Sequence, residues 1–139
     1  ELTGEEGFWF ISGTSLFDNQ EITSNFLIHT GFGGSLLFDD QTTEKYQLSE
    51  HLEIIKESEL KDSYGNVLKT KKAILPEFLI AEQKLANVPI GFFEGAIGRQ
   101  KISVLGGDIF KRFNVLFDIP NTNIYLKPNS LMATPFFDI

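Results

Sequence analysis

In a β-strand over residues 22–28, one face would carry Ile22, Ser24, Phe26 and Ile28 and the other would carry Thr23, Asn25 and Leu27, so the first face is mostly apolar and is expected to be buried. An earlier apolar stretch begins at residues 8–11, and residues 18–20, Asp-Asn-Gln, are common in tight turns. The pattern therefore predicts a β-hairpin. Its second strand ends at His29, the first polar residue after the apolar run of residues 26–28.

A glycine-rich turn follows His29, with the sequence Thr30-Gly31-Phe32-Gly33-Gly34-Ser35. A strand that ends in one polar side chain beside such a turn can hold a reactive group on a rigid support. A strand end with an ordinary glycine turn explains the same residues, because short glycine motifs often match by chance. These residues alone leave both interpretations open.

The next segment predicts a short strand at residues 35–38 and then a helix over residues 40–47. Asp39 or Asp40 is placed to cap this helix. The acidic pair would also suit a metal or acid site, but Asp is strongly favoured at helix starts. We therefore expect a cap with a solvated neighbour.

A long hairpin is predicted in the middle of the chain. Residues 52–60 and 67–75 are its strand candidates, and residues 62–66, Asp-Ser-Tyr-Gly-Asn, give the strongest turn signal in the sequence. Two more strands are expected at residues 78–81 and 85–93. No repeat, low-complexity segment or linker interrupts the pattern, which favours one domain.

A second glycine motif lies near the C-terminus. The apolar strand of residues 102–105 runs into Gly106 and Gly107. Asp108 is placed at the N-cap of a short helix predicted over residues 108–113.

A closing hairpin is predicted after this helix. Residues 115–119 alternate, residues 120–123 supply a turn that starts with proline, and Ile124 and Leu126 return on the core face. Residues 131–139 form an apolar, strand-like tail, in which an uncovered Phe136-Phe137 pair would need a partner surface.

The strand that ends in His29-Thr30-Gly31 and the later segment Val104-Leu105-Gly106-Gly107-Asp108 together resemble one lobe of an aspartic protease of the retropepsin/pepsin type. The resemblance is nearest to the bacterial retropepsin-like aspartyl proteases. Those proteins have an apolar strand and Asp-Thr-Gly, and later two apolar residues, a glycine, a short helix and a closing hairpin. The motifs here have the same order and span nearly the whole chain. One departure from the family pattern is central, because His29 stands where the family has Asp. The sequence fits both a natural and an introduced replacement at this position.

The resemblance implies an all-β fold, a retropepsin/pepsin-like lobe built as a closed antiparallel β-barrel with one or two short helices. Residues 1–139 would form a single lobe that belongs to a longer chain or to a dimer, in a periplasmic or other extracytoplasmic location. The strand before Gly106 and Gly107 would thread between the strands of the first motif, where glycines let two backbones approach closely. Gly106, Gly107 and Asp108 would then be structural residues.

The site residues also follow from the resemblance. His29, Thr30 and Gly31 would occupy the catalytic loop, in which the family's threonine hydroxyl bonds to the partner loop. Tyr64 and Gly65 would lie at the tip of a flap that closes over the substrate. An ordinary exposed hairpin is the alternative for that segment.

Catalysis in the family needs two lobes, each with one Asp. Two carboxylates about 3 Å apart share one proton and activate a water molecule. An imidazole has an ordinary pKa near 6.5, so its acid–base behaviour does not match that of a carboxylate. The resemblance therefore implies a lobe of an aspartic endopeptidase that is inactive alone, or else a pseudoprotease that acts as a peptide-binding or dimerisation module. The implied partners are a peptide or protein substrate and a second lobe, from the same gene or from a homodimer.

Composition narrows the other possibilities. A chain of 139 residues with 42% hydrophobic content suits one folded domain with its own core. The net charge is −7 and the basic residues form no stripe, so nucleic-acid binding is not expected. No apolar run approaches the roughly 20 residues of a membrane span. There is no cysteine, and His29 and His51 lack metal-site spacing, so we expect neither disulfides nor a metal or other cofactor.

Overall fold

The computed structural model describes residues 2–5, 8–95, 100–118, 120–132 and 136 of the chain. Within these residues the backbone forms ten strands and three short helices. In chain order they are β1 (Leu2–Glu5), β2 (Phe8–Phe17), β3 (Gln20–His29), β4 (Leu36–Leu37), α1 (Asp40–Lys45), α2 (Leu48–His51), β5 (Glu53–Lys61), β6 (Val67–Ile80), β7 (Gln83–Gly95), β8 (Ser103–Gly106), α3 (Gly107–Phe110), β9 (Phe113–Asp118) and β10 (Asn123–Pro128).

Six strands close into a barrel, in the order β2, β3, β8, β4, β7 and β6, and β6 pairs back onto β2. Strands β1 and β5 extend this sheet at its two ends, and β9 and β10 form a separate hairpin. The predicted mostly-β, closed barrel with few short helices is confirmed. Four of the six pairings are antiparallel, as expected. The other two, β3–β8 and β4–β7, are parallel, which corrects the fully antiparallel prediction.

Strand β8 explains one of the parallel pairings. It lies between β3 and β4, so the strand before the second glycine motif threads between the strands of the first, as predicted. Because β3 and β4 run in opposite directions on either side of it, β8 is parallel to β3 and antiparallel to β4. The insertion thus changes the pairing pattern without opening the barrel.

The segment predicted as one helix over residues 40–47 contains only the shorter helix α1, and α2 begins just after it, at Leu48. Helix α1 begins after Asp39, whose carboxylate accepts the Thr42 amide at 2.7 Å, so the predicted N-cap is confirmed. Helix α1 ends at Lys45, because Gln47 adopts a left-handed conformation with a φ of 48° before α2 begins.

The second predicted helix is shorter and starts earlier than expected. Helix α3 covers Gly107–Phe110 instead of residues 108–113, and β9 already begins at Phe113. Asp108 is not its N-cap, because the Asp108 carboxylate turns to the Ser35 hydroxyl and to neighbouring cations. None of the described helices has the length and apolar character needed to cross a membrane.

Strand β6 joins two segments predicted as separate strands, residues 67–75 and 78–81. It continues through Pro76, which has no amide to donate, and the ladder with β7 omits that residue. Ala81 and Glu82, both with positive φ, then turn the chain into β7.

Aromatic side chains fill the centre of the barrel. Phe26 packs edge to face against Phe38 and Phe78, with ring centroids 5.6 and 5.5 Å apart. Gly13 leaves room for this cluster, because a Cβ there would lie 2.8 Å from Phe78 Cε1. The cluster therefore packs β3 against β6 in the barrel interior, next to Gly13 of β2.

The C-terminal tail departs from its prediction where it is described. Leu131 and Met132 lie in a turn rather than in a strand. Phe136 is 9% exposed and lies over the guanidinium group of Arg112, so it is covered within the chain. Phe137 lies outside the described residues.

Candidate functional site

The loop that carries His29 is held against the end of β8. His29 is the last residue of β3 and pairs in register with Gly106. The Phe32 amide donates to the His29 carbonyl at 3.1 Å and closes a tight turn. The amides of Gly106, Gly107 and Asp108 donate to the carbonyls of Ser35, Phe32 and Gly34 at 2.8, 2.8 and 3.2 Å, respectively. The loop is therefore fixed by backbone bonds from both ends.

Glycine at positions 106 and 107 makes this contact possible. A Cβ on Gly106 would lie 2.7 Å from the Phe32 carbonyl oxygen and closer still to that of Gly34. A Cβ on Gly107 would lie 3.0 Å from the Thr30 carbonyl oxygen. The two glycines therefore allow the close backbone approach on which the loop geometry depends.

His29 lies at the open end of the loop. Its side chain is exposed, and Thr30 and Gly31 are exposed beside it. A Cβ on Gly31 would lie 3.0 Å from His29 Cε1, so the glycine leaves room for the imidazole ring. The structure thus brings the three sequence-predicted loop residues together at the surface of the barrel.

Cross-strand pairing places His29 on a continuous outer face of the sheet. Directly opposed residues share a face, and the register gives one outer row across β3, β8, β4, β7 and β6: Leu27, Val104, Leu37, Gly91 and Lys72. The neighbouring row faces the barrel interior: Ile28, Leu105, Leu36, Ile90 and Ala73. His29 is two residues beyond Leu27, so its side chain points to the outer side.

An apolar groove of about 580 Å³ lies on this outer face. Its lining includes Phe32 from the loop, Leu37, Gly91 and Phe93 from β4 and β7, and Thr70 and Lys72 from β6. A Cβ on Gly91 would lie 3.3 Å from Leu37 Cδ1, so the glycine helps to keep the groove open. Because the loop forms one wall, a ligand in the groove would lie beside the loop that presents His29.

A buried ionic network supports the loop from behind. Asp108 is 3% exposed, and its Oδ2 accepts the Ser35 hydroxyl at 3.3 Å. Its Oδ1 lies 2.8 Å from Lys111 Nζ and 3.7 Å from Arg112 Nη2. These cations offset the cost of burying the carboxylate. Asp108 therefore connects the loop to α3 and to the residues that follow it.

Arg112 extends this network to the C-terminal segment. It is fully buried, and its Nε donates to the Asp108 carbonyl at 3.0 Å. Its Nη1 donates to the carbonyls of Leu131 and Met132 at 3.2 and 3.3 Å. The Phe136 ring centroid lies 3.7 Å from the guanidinium carbon. Arg112 thus anchors the C-terminal segment to the element that holds the loop.

Ser35 and Arg112 were not predicted as site residues. The signal that could have found Arg112 is its spacing of four residues from Asp108 in a predicted helix, because such residues are neighbours. Ser35 lies 73 residues from Asp108 along the chain, so only the fold reveals that contact.

The β5–β6 hairpin carries Tyr64 at its tip, in the turn predicted at residues 62–66. The Asp62 carboxylate accepts the amides of Tyr64 and Asn66 at 2.8 and 2.9 Å, and Gly65 has a φ of 83°. The pKa of Asp62 is held below its usual value by the hydrogen bond that the Asn66 side-chain amide donates at 3.0 Å, and by those from the two backbone amides. Tyr64 is 89% exposed, and neither it nor Gly65 lines the groove.

Among the described residues, no group of three or more His, Asp or Glu side chains is placed to hold a metal ion. No protein-family model, curated protein or solved structure matches the chain. The motifs and the site geometry are therefore the basis for assigning a function.

Proposed function

We propose that the chain is one lobe of an aspartic-type endopeptidase of the retropepsin/pepsin kind, with His29 at the position of the catalytic Asp. The observation that supports the proposal is the loop of residues 29–35, fixed by backbone bonds to residues 106–108 where β8 inserts between β3 and β4. This arrangement presents residue 29 on the outer face of the barrel, where a second lobe can approach.

A lobe with His29 lacks the group that the reaction needs. Two carboxylates share one proton, so that one accepts a proton from water and the other polarises the scissile carbonyl. An imidazole opposite an Asp of another lobe would form an ion pair and occupy the position of the water. Asp39 and Asp40 do not replace the missing group, because Asp39 caps α1 and Asp40 accepts the Gln100 amide at 2.8 Å. The chain alone is therefore expected to be inactive.

The second half of the site would come from another lobe. His29, Thr30 and Gly31 are exposed together, and we expect this face to contact a lobe from the same gene or a second copy of the chain. The substrate would be a peptide or protein segment that lies in the groove. Sedimentation equilibrium measures whether the chain pairs with itself.

Peptide-cleavage assays across acidic and neutral pH test the proposal on the chain, on His29→Asp and on Asn25→Asp. The control Asn25→Asp adds a carboxylate to an exposed position of the same strand, away from the loop. We expect no detectable cleavage by the chain or the control, because acid–base catalysis typically contributes ~10²–10⁴-fold. In a homodimer, His29→Asp supplies both carboxylates and gains cleavage that pepstatin inhibits. Pepstatin-sensitive cleavage by the unmodified chain would contradict the role given to His29.

A second candidate function is a pseudoprotease that binds peptides or dimerises without hydrolysing a substrate. The apolar groove beside the loop favours it, because the groove remains in a chain whose motif Asp is absent. Inactivity of both the chain and His29→Asp, together with measurable peptide binding, would make this candidate the better account.

A further inference from the structure

His29 has no charged partner within the part of the chain that the structure describes. Its side chain is exposed, and the described histidine that does form an ion pair is His51, whose Nδ1 lies 2.8 Å from Asp18 Oδ2. The loop of residues 30–35 and strands β2 and β8 contain no charged residue, and Glu21 lies at the opposite end of β3. A proton gained by His29 would therefore add a positive charge that no carboxylate on the adjoining strands offsets.

The other charges near the loop belong to neighbouring elements and are engaged elsewhere. The buried Asp108 carboxylate of α3 faces Lys111, at 2.8 Å, and Arg112. In β1 the charged residue is Glu5, and β2 separates that strand from β3. Asp108 is thus held by cations of its own segment and is not an ion-pair partner of His29.

The exposed position of His29 determines what two paired copies would bring together. A two-fold contact uses the same surface of both copies, so a residue near the axis meets its own counterpart. When two copies pair through the face of residues 29–31, the two His29 imidazoles meet there. A neutral imidazole has one donor and one acceptor nitrogen, whereas an imidazolium has two donors. Two imidazoliums therefore cannot hydrogen-bond to each other, and their like charges repel.

We propose that protonation of His29 controls self-pairing of the chain: two copies pair through this face while the imidazoles can hydrogen-bond to each other, and they separate when both are protonated. The proposal rests on the self-pairing considered under the proposed function and adds its regulation. Imidazoles ordinarily gain their proton between about pH 8 and about pH 5, so the control operates in this range.

The overall charge of the chain predicts the opposite trend. Each copy carries a net charge of −7 at pH 7, so two copies repel each other. Acidification reduces this negative charge and should favour association. Dissociation on acidification is therefore a specific effect of the paired imidazoles and not of the overall charge.

Sedimentation equilibrium at constant ionic strength, from about pH 8 to about pH 5, tests the proposal on the chain and on His29→Gln, His29→Lys and His51→Gln. Gln cannot gain the proton, and Lys carries a positive charge throughout this range. His51→Gln is the matched control, because it removes the other histidine of the chain. Far-UV circular dichroism at each pH checks that all four proteins remain folded.

We expect the dimer dissociation constant of the chain and of His51→Gln to rise about tenfold or more as the pH falls, because like charges in contact oppose pairing. His29→Gln should pair without this rise, and His29→Lys should pair weakly at every pH. The same rise in His29→Gln, or no rise in the chain, would overturn the pH control and leave self-pairing standing. A chain that stays monomeric at every pH would overturn both the pH control and self-pairing, and would leave a lobe from the same gene as the second half of the proposed site.

Discussion

Backbone contact at Gly106 is the residue-scale feature on which the site depends. The Gly106 amide donates to the Ser35 carbonyl, and a Cβ there would collide with the Phe32 carbonyl oxygen at 2.7 Å. Gly33 belongs to the same loop, yet nothing lies within 4 Å of the position its Cβ would take. The two glycines therefore differ in what they contribute, because only the first is required by packing.

We expect Gly106→Ala to lower the free energy of unfolding by about 1–3 kcal/mol, the usual effect of overpacking. The matched substitution Gly33→Ala should change it by less than about 0.5 kcal/mol, as at an open surface position. Urea denaturation followed by tryptophan fluorescence measures both values. Equal costs for the two variants would show that the close approach does not hold the loop.

Single-residue features were predictable where their signal is local in the chain. The spacing of His29, Thr30 and Gly31 after an apolar run marks the loop without knowledge of the fold. Ser35 contacts Asp108 across 73 residues, and that partner becomes visible only when β8 lies beside the loop.

At the scale of elements, the tip of the β5–β6 hairpin depends on one ionised carboxylate. Hydrogen bonds from the Asn66 side chain and from the Asn66 and Tyr64 amides hold the pKa of Asp62 below its ordinary value of 3.8. A carboxyl group whose pKa is lower in the folded state than in the unfolded state stabilises the folded turn at pH values above its unfolded-state pKa. This stabilisation is lost as the pH falls through the folded-state pKa. The turn should therefore stay ordered at pH values above 3.8 and loosen below it.

NMR spectra recorded during acidification test this behaviour. The amide signals of Tyr64 and Asn66 should shift with a midpoint below 3.8, and Asp62→Asn should remove that titration. A midpoint at or above 3.8 in the unmodified chain would contradict the hydrogen-bonded turn.

Helix α3 and the C-terminal segment are joined by the buried Asp108–Arg112 pair. Asp108→Ala would leave the fully buried guanidinium of Arg112 without this carboxylate, so we expect a loss of about 3–5 kcal/mol in the free energy of unfolding. Lys111→Gln is the control, because the Lys111 side chain is 44% exposed and its loss should cost less than about 1 kcal/mol. Urea denaturation compares the two, and similar losses would argue against the buried pair as the anchor.

Element types were more predictable than element limits. The apolar stretch at residues 8–11 and the two-residue periodicity of residues 22–28 correctly marked the strands of the first hairpin, and turn-forming residues correctly marked the turn at residues 62–66. The predicted bounds were wrong where tertiary contacts determine where an element begins or ends. Asp108 caps no helix because its carboxylate is held by Ser35 and Lys111, and β6 continues through Pro76 because its ladder with β7 resumes at Glu77.

At the scale of the whole molecule, the insertion of β8 joins the barrel to the site. The same strand closes the sheet between β3 and β4 and supplies the backbone beneath the His29 loop. A closed barrel followed from the resemblance of the two motifs, whereas the β4–β7 pairing depends on contacts between residues far apart in the chain. The groove lies on the outer face that this insertion creates, bordered by the loop, β4, β7 and β6.

The most direct test of the account is to map peptide binding on the ¹H–¹⁵N NMR spectrum of the chain, with an extended Phe-containing peptide as the probe. The central claim is that the His29 loop and the adjoining groove form one ligand site. Shifts should therefore concentrate in the amides of Phe32, Gly33, Gly34, Gly91 and Phe93, which line the groove. Saturable shifts confined to the β9–β10 hairpin or to α1 and α2, with the loop amides unchanged, would contradict it.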